Sequence, residues 1–144
     1  MCREWWLSGL AVLAACGGSE TAKVVSTDKQ YNDTAGDDTP PVIDHAPITT
    51  SQQFEQPVTI TATVTDDDAG VATVSVFYKR ADVVEWTEMV LDGSGDAWEK
   101  AIPGTNVTGS GMNYYLRAED NVGNVATLPA NGEADAYYFR VSAD

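Results

Sequence analysis

From residue 42 onward the chain alternates apolar and polar residues with a period of two, which is the pattern of half-buried β-strands. The clearest case is residues 58–65, in which valine, isoleucine and alanine alternate with threonine. Successive side chains of a strand point to opposite faces, so this segment is predicted to bury one face and expose the other. Further strands are predicted at residues 71–79, 86–91, 98–102, 112–120, 125–128 and 137–141.

The predicted strands are short and are separated by segments rich in Gly, Asp, Asn and Pro, such as the turn predicted at residues 92–96. No segment has the period of 3.6 that indicates a helix. We therefore predict an all-β fold, an antiparallel β-sandwich of about seven strands. An up-and-down barrel is the alternative.

The alternation also predicts the orientation of two individual side chains, Ala72 and Lys100. In residues 71–79, Ala72 is predicted to face inward together with Val74 and Val76. Lys100 lies in phase with Trp98, on the face of its strand that is predicted to be buried. A lysine there can reach water most easily at a sheet edge, so this strand is predicted to lie at an edge.

The chain begins differently, with an apolar run at residues 7–15 that ends in Leu13-Ala14-Ala15-Cys16. The run is shorter than the roughly 20 residues that span a bilayer as a helix, and it suits the apolar part of a signal peptide. Leu13-Ala14-Ala15-Cys16 resembles the lipobox of bacterial lipoproteins. The resemblance implies that residues 1–15 are a cleaved signal peptide and that Cys16 carries a diacylglycerol and an amino-terminal acyl chain such as palmitate.

Residues 16–39 are polar and acidic without a sustained period, and they are predicted to form a flexible tether between the lipid and the sandwich. The folded domain is predicted to cover residues 40–144. The lipoprotein resemblance implies a location in the cell envelope, facing the periplasm or the surface. Because Gly17 rather than Asp follows the cysteine, the resemblance further implies the outer membrane if the organism has two membranes.

Within the predicted domain, the motif of residues 114–118 followed by Asp120-Asn121-Val122-Gly123-Asn124 resembles the sixth strand and following turn of bacterial immunoglobulin-like and fibronectin type III-like modules. Residues 57–62, the turn at 66–70 and residues 98–104 fit the same modules. The resemblance covers about residues 40–144. It implies a non-catalytic binding or spacer module for adhesion or protein docking. The alternative is a carbohydrate-binding or accessory module that serves secreted hydrolases.

The net charge and the cysteine content limit which partners and which covalent links are expected for this domain. The net charge of −14 would repel phosphate, so no nucleic-acid partner is expected. The only cysteines are Cys2, inside the predicted signal, and Cys16, which lipid would block, so the domain is expected to fold without a disulfide. A monomer is expected, held to the membrane by lipid on Cys16, with either a protein or a glycan as its other partner.

Few residues suggest catalysis. His45 is the only histidine, beside Asp44, and the ordinary interpretation of this pair is a histidine at the edge of a strand. The sequence contains no nucleophile elbow, metal-binding helix motif or phosphate loop. We therefore do not expect an enzyme.

Two acidic turns are the candidate metal site, because the turns after the second and sixth strands of such a sandwich lie at the same pole. Carboxylate and amide oxygens are the ligands that Ca²⁺ prefers. The alternative is ordinary turn chemistry, since Asp, Asn and Gly also stabilise turns through their own backbone. The candidate Ca²⁺ ligands are Asp66, Asp67, Asp68, Asp120, Asn121 and Asn124.

Aromatic residues are the other candidate site. Phe77 and Tyr115 lie on the outward phase of their strands, and Trp86 begins the strand between them in the chain. Together they could stack against sugar rings, or mark an interface with a protein. Trp98 is expected to pack in the core instead, because a domain without disulfides needs large buried side chains.

Overall fold

The computed structural model describes residues 36–109 and 111–143. Cys16, the predicted signal peptide and residues 16–35 of the predicted tether lie outside the described residues. Within the described ranges, no helix is both long enough and apolar enough to cross a membrane.

The described residues contain ten β-strands and two single-turn 3₁₀ helices. The first five strands are β1 (Val42–Asp44), β2 (Gln52–Gln53), β3 (Val58–Thr65), β4 (Val71–Arg80) and β5 (Thr87–Val90). The others are β6 (Asp92–Ser94), β7 (Ala97–Ile102), β8 (Gly111–Asp120), β9 (Val125–Leu128) and β10 (Tyr137–Ser142). The 3₁₀ helices are Gly104–Asn106 and Gly132–Asp135.

The strands form two sheets, and the predicted all-β sandwich is confirmed. The order is β1-β3-β7-β6 in a four-stranded sheet and β2-β10-β8-β4-β5 in a six-stranded sheet, in which β9 also pairs with β8. Every pairing is antiparallel except that of β2 with β10. Connections between the sheets and the order within each sheet agree with the arrangement of immunoglobulin-like sandwiches.

The strand count exceeds seven because some strands of the sandwich are divided. β5 and β6 belong to one extended segment that changes sheets at Leu91, whose backbone N–H donates to Val74 O at 2.8 Å. Residues 92–94, which the sequence predicted to be part of a turn, form β6. β9 and β10 pair with different halves of β8, because residues 129–136 leave the sheet between them.

The core lies between the sheets and follows the predicted alternation. In β3, Val58, Ile60, Ala62 and Val64 are buried and the intervening threonines are exposed. Tyr114 of β8 is completely buried near the centre. Trp98, which was expected to be in the core, is half-buried and packs against its margin.

Two sequence-based expectations about the sheets are wrong. Ala72 is exposed, because the β4–β8 register shifts between Val71 and Thr73 and the bulge changes the phase of the strand. The strand that contains Lys100 is not an edge strand, because β7 pairs with β3 on one side and β6 on the other. β6 covers only residues 97–99, so Lys100 lies just beyond its end, and Nζ is 3.3 Å from Asp92 Oδ1.

Candidate functional site

The loop between β3 and β4 is closed by Asp66. Its Oδ1 accepts hydrogen bonds from the backbone N–H groups of Asp68 at 3.3 Å and Gly70 at 2.7 Å. Gly70 has a φ of 76°, which a residue with a side chain rarely adopts. This loop therefore has the local structure that turn-forming residues predict.

The loop after β8 is organised by Asp120, which is only 2% exposed. Its Oδ1 accepts the backbone N–H groups of Val122 at 2.9 Å, Gly123 at 2.6 Å and Asn124 at 2.8 Å. Its Oδ2 accepts Nδ2 of Asn124 at 2.8 Å. Burial raises the pKa of Asp120, but these hydrogen bonds outweigh burial and hold the pKa below its ordinary value. Asp120 is therefore a buried, ionised carboxylate at neutral pH.

Asn121 joins the two loops. Its Nδ2 donates to the carbonyl oxygens of Ala69 at 2.8 Å and Gly70 at 2.9 Å, and its backbone N–H donates to Gly70 O at 3.1 Å. The two acidic turns that the sequence analysis placed at one pole therefore touch each other directly. The Asn121 side-chain N–H₂ group serves this contact between loops.

Asp37 adds a third segment to the pole, from a part of the chain that was predicted to be tether. Its Oδ2 accepts the backbone N–H of Ala69 at 3.1 Å, and its carbonyl oxygen accepts Nδ2 of Asn124 at 3.1 Å. Sequence reasoning missed Asp37, because nothing in the order of residues shows that the chain before Pro40 folds back onto these loops.

Carboxylates converge where these segments meet. One oxygen each from Asp37, Asp66 and Asp120 lies within 4.8 Å of the others, and Asp37, Asp67 and Asp68 form a second such group. Asp66 Oδ2 is buried without a hydrogen-bond partner among the described residues. No ion pair of the described residues involves this acidic cluster, which we define as Asp37, Asp66 and Asp120. An arrangement of hard oxygen atoms without a positive neighbour suits a divalent cation.

A second cluster lies on the outward face of the six-stranded sheet. Phe77 and Tyr115 are direct cross-strand neighbours, and their rings stack with centroids 4.9 Å apart and planes inclined by 5°. The ring of Trp86 meets Tyr115 edge-on at a centroid distance of 5.0 Å. The structure thus brings together all three predicted stacking residues, and we call Phe77, Trp86 and Tyr115 the aromatic patch. Each of the three is half-buried.

Charged groups surround the aromatic patch. Lys79 Nζ lies 4.8 Å from the centre of the Trp86 ring, at cation–π distance. Glu88 pairs with Phe77 across β4 and β5 and accepts a hydrogen bond from Ser75 Oγ at 2.8 Å. Burial, followed by the negative charges of Glu133 and Glu88, raises the pKa of Tyr115, so its hydroxyl stays protonated at neutral pH.

His45 connects the two sheets. Its Nδ1 lies 2.6 Å from Thr61 O, a carbonyl that can only accept, so Nδ1 carries the proton. Its Nε2 then accepts the hydroxyl proton of Tyr114 at 2.9 Å, and the Tyr114 oxygen accepts the backbone N–H of Ile48 at 2.9 Å. Both ring nitrogens of the sole histidine are therefore engaged in holding the amino-terminal strand to the core.

No family model matches this chain, and no curated protein matches it either. The assignment of function therefore starts from the chain's own residues. Of the predicted metal ligands, the structure brings Asp66 and Asp120 together, with Asp37 as the third carboxylate, and places Asp67 and Asp68 in the neighbouring group. The side chains of Asn121 and Asn124 donate hydrogen bonds that stabilise the same pole.

Proposed function

We propose that this chain is a lipid-anchored lipoprotein of the bacterial cell envelope, whose immunoglobulin-like module docks a protein partner without catalysing a reaction. The anchor in this proposal is Cys16, which closes the lipobox-like motif. The sandwich supports the proposal because a stable two-sheet scaffold can present a binding site on its surface. Of the roles expected from the resemblance, adhesion and docking require a surface that contacts another molecule.

The observation that carries the proposal is the aromatic patch. Phe77, Trp86 and Tyr115 pack on each other outside the core, on the outward face of the six-stranded sheet. Aromatic residues are enriched in the centres of protein interfaces, where charged groups form the rim. Lys79, Glu88 and the Arg117–Glu119 ion pair at 2.8 Å supply charged groups on the same face.

Ring orientation favours a protein partner over a sugar. A sugar stacks on an open ring face, but Phe77 and Tyr115 turn one face each toward the other. The Lys79 ammonium covers part of a face of Trp86. What remains outward is an uneven surface of ring edges and charges, which side chains of a protein can fill more readily than a flat pyranose ring.

Site-specific photo-crosslinking tests the docking proposal. A photoreactive residue replaces Glu88, beside the aromatic patch, or Thr59, on the outward face of the other sheet, and crosslinking is carried out on intact cells. We expect a discrete protein adduct from position 88 that disappears on Trp86→Ala. Val84→Ala is the matched control, because Val84 is nearby, 80% exposed and outside the patch, and it should leave the adduct unchanged. An equal adduct from position 59, or one indifferent to Trp86→Ala, would contradict the proposal.

A carbohydrate-binding or accessory role is the second candidate, since three neighbouring aromatic rings on one face also suit a polysaccharide. Pull-down with insoluble cellulose, chitin and peptidoglycan distinguishes this role from protein docking. Retention on a polysaccharide that is lost with Trp86→Ala or Phe77→Ala, and kept with Val84→Ala, would favour the carbohydrate role. Retention that none of these variants changes would count against it.

We further propose that the acidic cluster binds Ca²⁺. The specific support is Asp66 Oδ2, a buried carboxylate oxygen that has no hydrogen-bond partner in the part of the chain that the structure describes and that lies near the carboxylates of Asp37 and Asp120. Three negative charges at such separations repel one another, and a divalent ion would offset the repulsion. Because Asp37 precedes β1, the bound ion would also hold the amino-terminal segment against the pole of the sandwich.

A further inference from the structure

The borders of the two sheets differ in how well they are protected against pairing with another chain. In the described residues, β1 directly follows Pro40-Pro41, β2 has only two residues, β6 contains Gly93 and β9 lies close to β1. Proline, glycine, short length and covering elements are the usual ways in which a sheet edge resists an added strand. β5 has four residues without glycine or proline, and only β4 pairs with it in the described ranges. β5 is therefore the least protected of these borders.

The hydrogen-bond pattern shows which backbone groups of β5 face its open side. Leu91, the residue after β5, donates its backbone N–H to Val74 O at 2.8 Å. Hydrogen-bonded pairs alternate along an antiparallel ladder, so Met89 also bonds to β4, whereas Glu88 and Val90 direct their backbone N–H and C=O groups away from it. The open side of β5 thus presents alternating donors and acceptors at the spacing that an added strand requires.

The side chains of β5 are also suited to an added strand. Val90 is 49% exposed and Glu88 is exposed, and the register of β5 with β4 places both on the outward face of the sheet. Met89 projects to the opposite face and packs against the core. Trp86 directly precedes β5, so the open edge is continuous with the aromatic patch. A strand added here would extend the surface that carries the proposed docking function.

We propose that the partner protein docks by adding an extended segment to the open edge of β5, antiparallel to it. The inference rests on the docking function proposed above and identifies how the backbone of the partner takes part. Directly opposite side chains of paired strands project from the same face. A basic residue opposite Glu88 and an apolar, β-branched residue opposite Val90 complement that face. From its amino end, the segment therefore carries an apolar residue, any residue and then a basic residue.

Charge favours such a partner over a second copy of this chain. Each copy carries a net charge of −14, so two copies repel each other, whereas a basic segment is attracted. Within two antiparallel β5 strands, Glu88 would stand opposite a second Glu88 or a Val90. Neither of these residues supplies the opposite charge that stabilises a cross-strand pair.

N-methylated peptides test strand addition on the purified full chain, with fluorescence anisotropy as the readout. The probe is fluorescein-labelled Gly-Thr-Val-Thr-Lys-Thr-Gly, whose valine and lysine should stand opposite Val90 and Glu88. N-methylation of the valine and the lysine removes the N–H groups that would donate to β5, and it should weaken binding about tenfold or more. The matched control carries its two methyl groups on the threonines that follow the valine and the lysine. Their N–H groups face away from β5, so its affinity should change less than about twofold.

Amide hydrogen exchange, measured by NMR, locates the probe on the chain. The amides of Glu88 and Val90 should exchange about tenfold more slowly when the probe is bound. The amide of Met89, which already bonds to β4, should change less. Glu88→Gln should weaken the probe about two- to fivefold, whereas Glu85→Gln, which removes the same charge outside β5, should leave its affinity unchanged.

Two kinds of result would overturn strand addition. One is equal weakening by the two methylation patterns, or no binding of the unmethylated probe at millimolar concentration. The other is a dimer of the chain that the probe dissociates, because this would assign the edge to a second copy. The docking proposal can be judged separately: a crosslinked adduct that is lost with Trp86→Ala, together with equal weakening by the two methylation patterns, would retain docking at the aromatic patch and remove only the strand addition.

Discussion

The hydroxyl oxygen of Tyr114 lies 2.9 Å from Nε2 of His45 and so ties the amino-terminal strand to the centre of the core. The same oxygen accepts the backbone N–H of Ile48 at 2.9 Å. Burial raises the pKa of Tyr114, and the neighbouring Tyr137 adds to this, although the N–H of Ile48 partly opposes it. The hydroxyl therefore stays protonated at neutral pH and donates a hydrogen bond to Nε2 of His45.

Removing this hydroxyl should destabilise the sandwich. Tyr114→Phe leaves the Ile48 N–H and the His45 ring nitrogen without their partner, which should lower the free energy of unfolding by about 1–3 kcal/mol. Urea denaturation measures the change. Tyr115→Phe is the control, because the Tyr115 hydroxyl donates no hydrogen bond within the described residues, and its effect should stay within about 0.5 kcal/mol. Equal losses in the two variants would contradict the structural role of the Tyr114 hydroxyl.

Asp120 should make stability depend on pH in the acid range. Its pKa in the folded chain lies below the ordinary value of 3.8, so the folded state favours the ionised form. Its contribution is therefore fully present above pH 3.8 and is lost as the pH falls through the lower folded pKa.

Urea denaturation between pH 6 and pH 2 measures this loss as a falling free energy of unfolding. Asp120→Asn keeps an oxygen that can accept hydrogen bonds from the loop N–H groups but removes the charge. Its free energy of unfolding should therefore change less with pH below about pH 4. Asp135→Asn is the control, because Asp135 is exposed at the end of the Gly132–Asp135 turn. If the free energy of unfolding falls with pH equally steeply in Asp120→Asn and in the unmodified chain, Asp120 is not the source of the pH dependence.

Calcium should raise the melting temperature through the acidic cluster. At a Ca²⁺ concentration ten times Kd, binding adds about 1.4 kcal/mol, or about 6–11 °C for a domain of this size. Differential scanning calorimetry with millimolar CaCl₂ or with a chelator measures the shift.

Asp66→Asn and Asp37→Asn should each abolish the calcium shift, because each removes a carboxylate from the cluster. Asp135→Asn should retain it, since Asp135 lies outside the cluster. Asp68→Ala should reduce the shift less than Asp66→Asn does, because Asp68 belongs to the neighbouring group. If the unmodified chain melts at the same temperature with calcium and with chelator, the calcium proposal fails.

Lipid attachment should depend on Cys16 alone. Metabolic labelling with an alkyne palmitate analogue should mark the chain, and Cys16→Ser should eliminate the label and release the protein from the membrane fraction. Two acyl chains supply enough buried CH₂ groups, at about 0.8 kcal/mol each, for stable anchoring. Cys2→Ser is the matched control, because residue 2 lies inside the predicted signal, and it should leave the label intact. Labelling that survives Cys16→Ser would refute the anchor.

Much of the fold could be predicted from local pattern. The alternation in residues 58–65 predicted β3 with its bounds and its buried face, because the period of a strand is read directly from neighbouring side chains. The two acidic turns were predicted at one pole from the order of strands, and the bonds from Asn121 to Ala69 and Gly70 join the two loops there. The failures occurred where a strand changes its pairing, as at Ala72 in the β4 bulge and at Lys100 beyond the end of β6.

The amino-acid sequence by itself therefore determined the all-β class, the positions of the longer strands and the local chemistry of the turns, since these depend on residues close together in the chain. Only the tertiary structure decided which distant residues meet. The cross-strand stack of Phe77 on Tyr115 depends on register, which couples residues far apart in sequence. Asp37 joined the acidic cluster for the same reason, because contact across 83 positions to Asp120 is a property of chain path and packing.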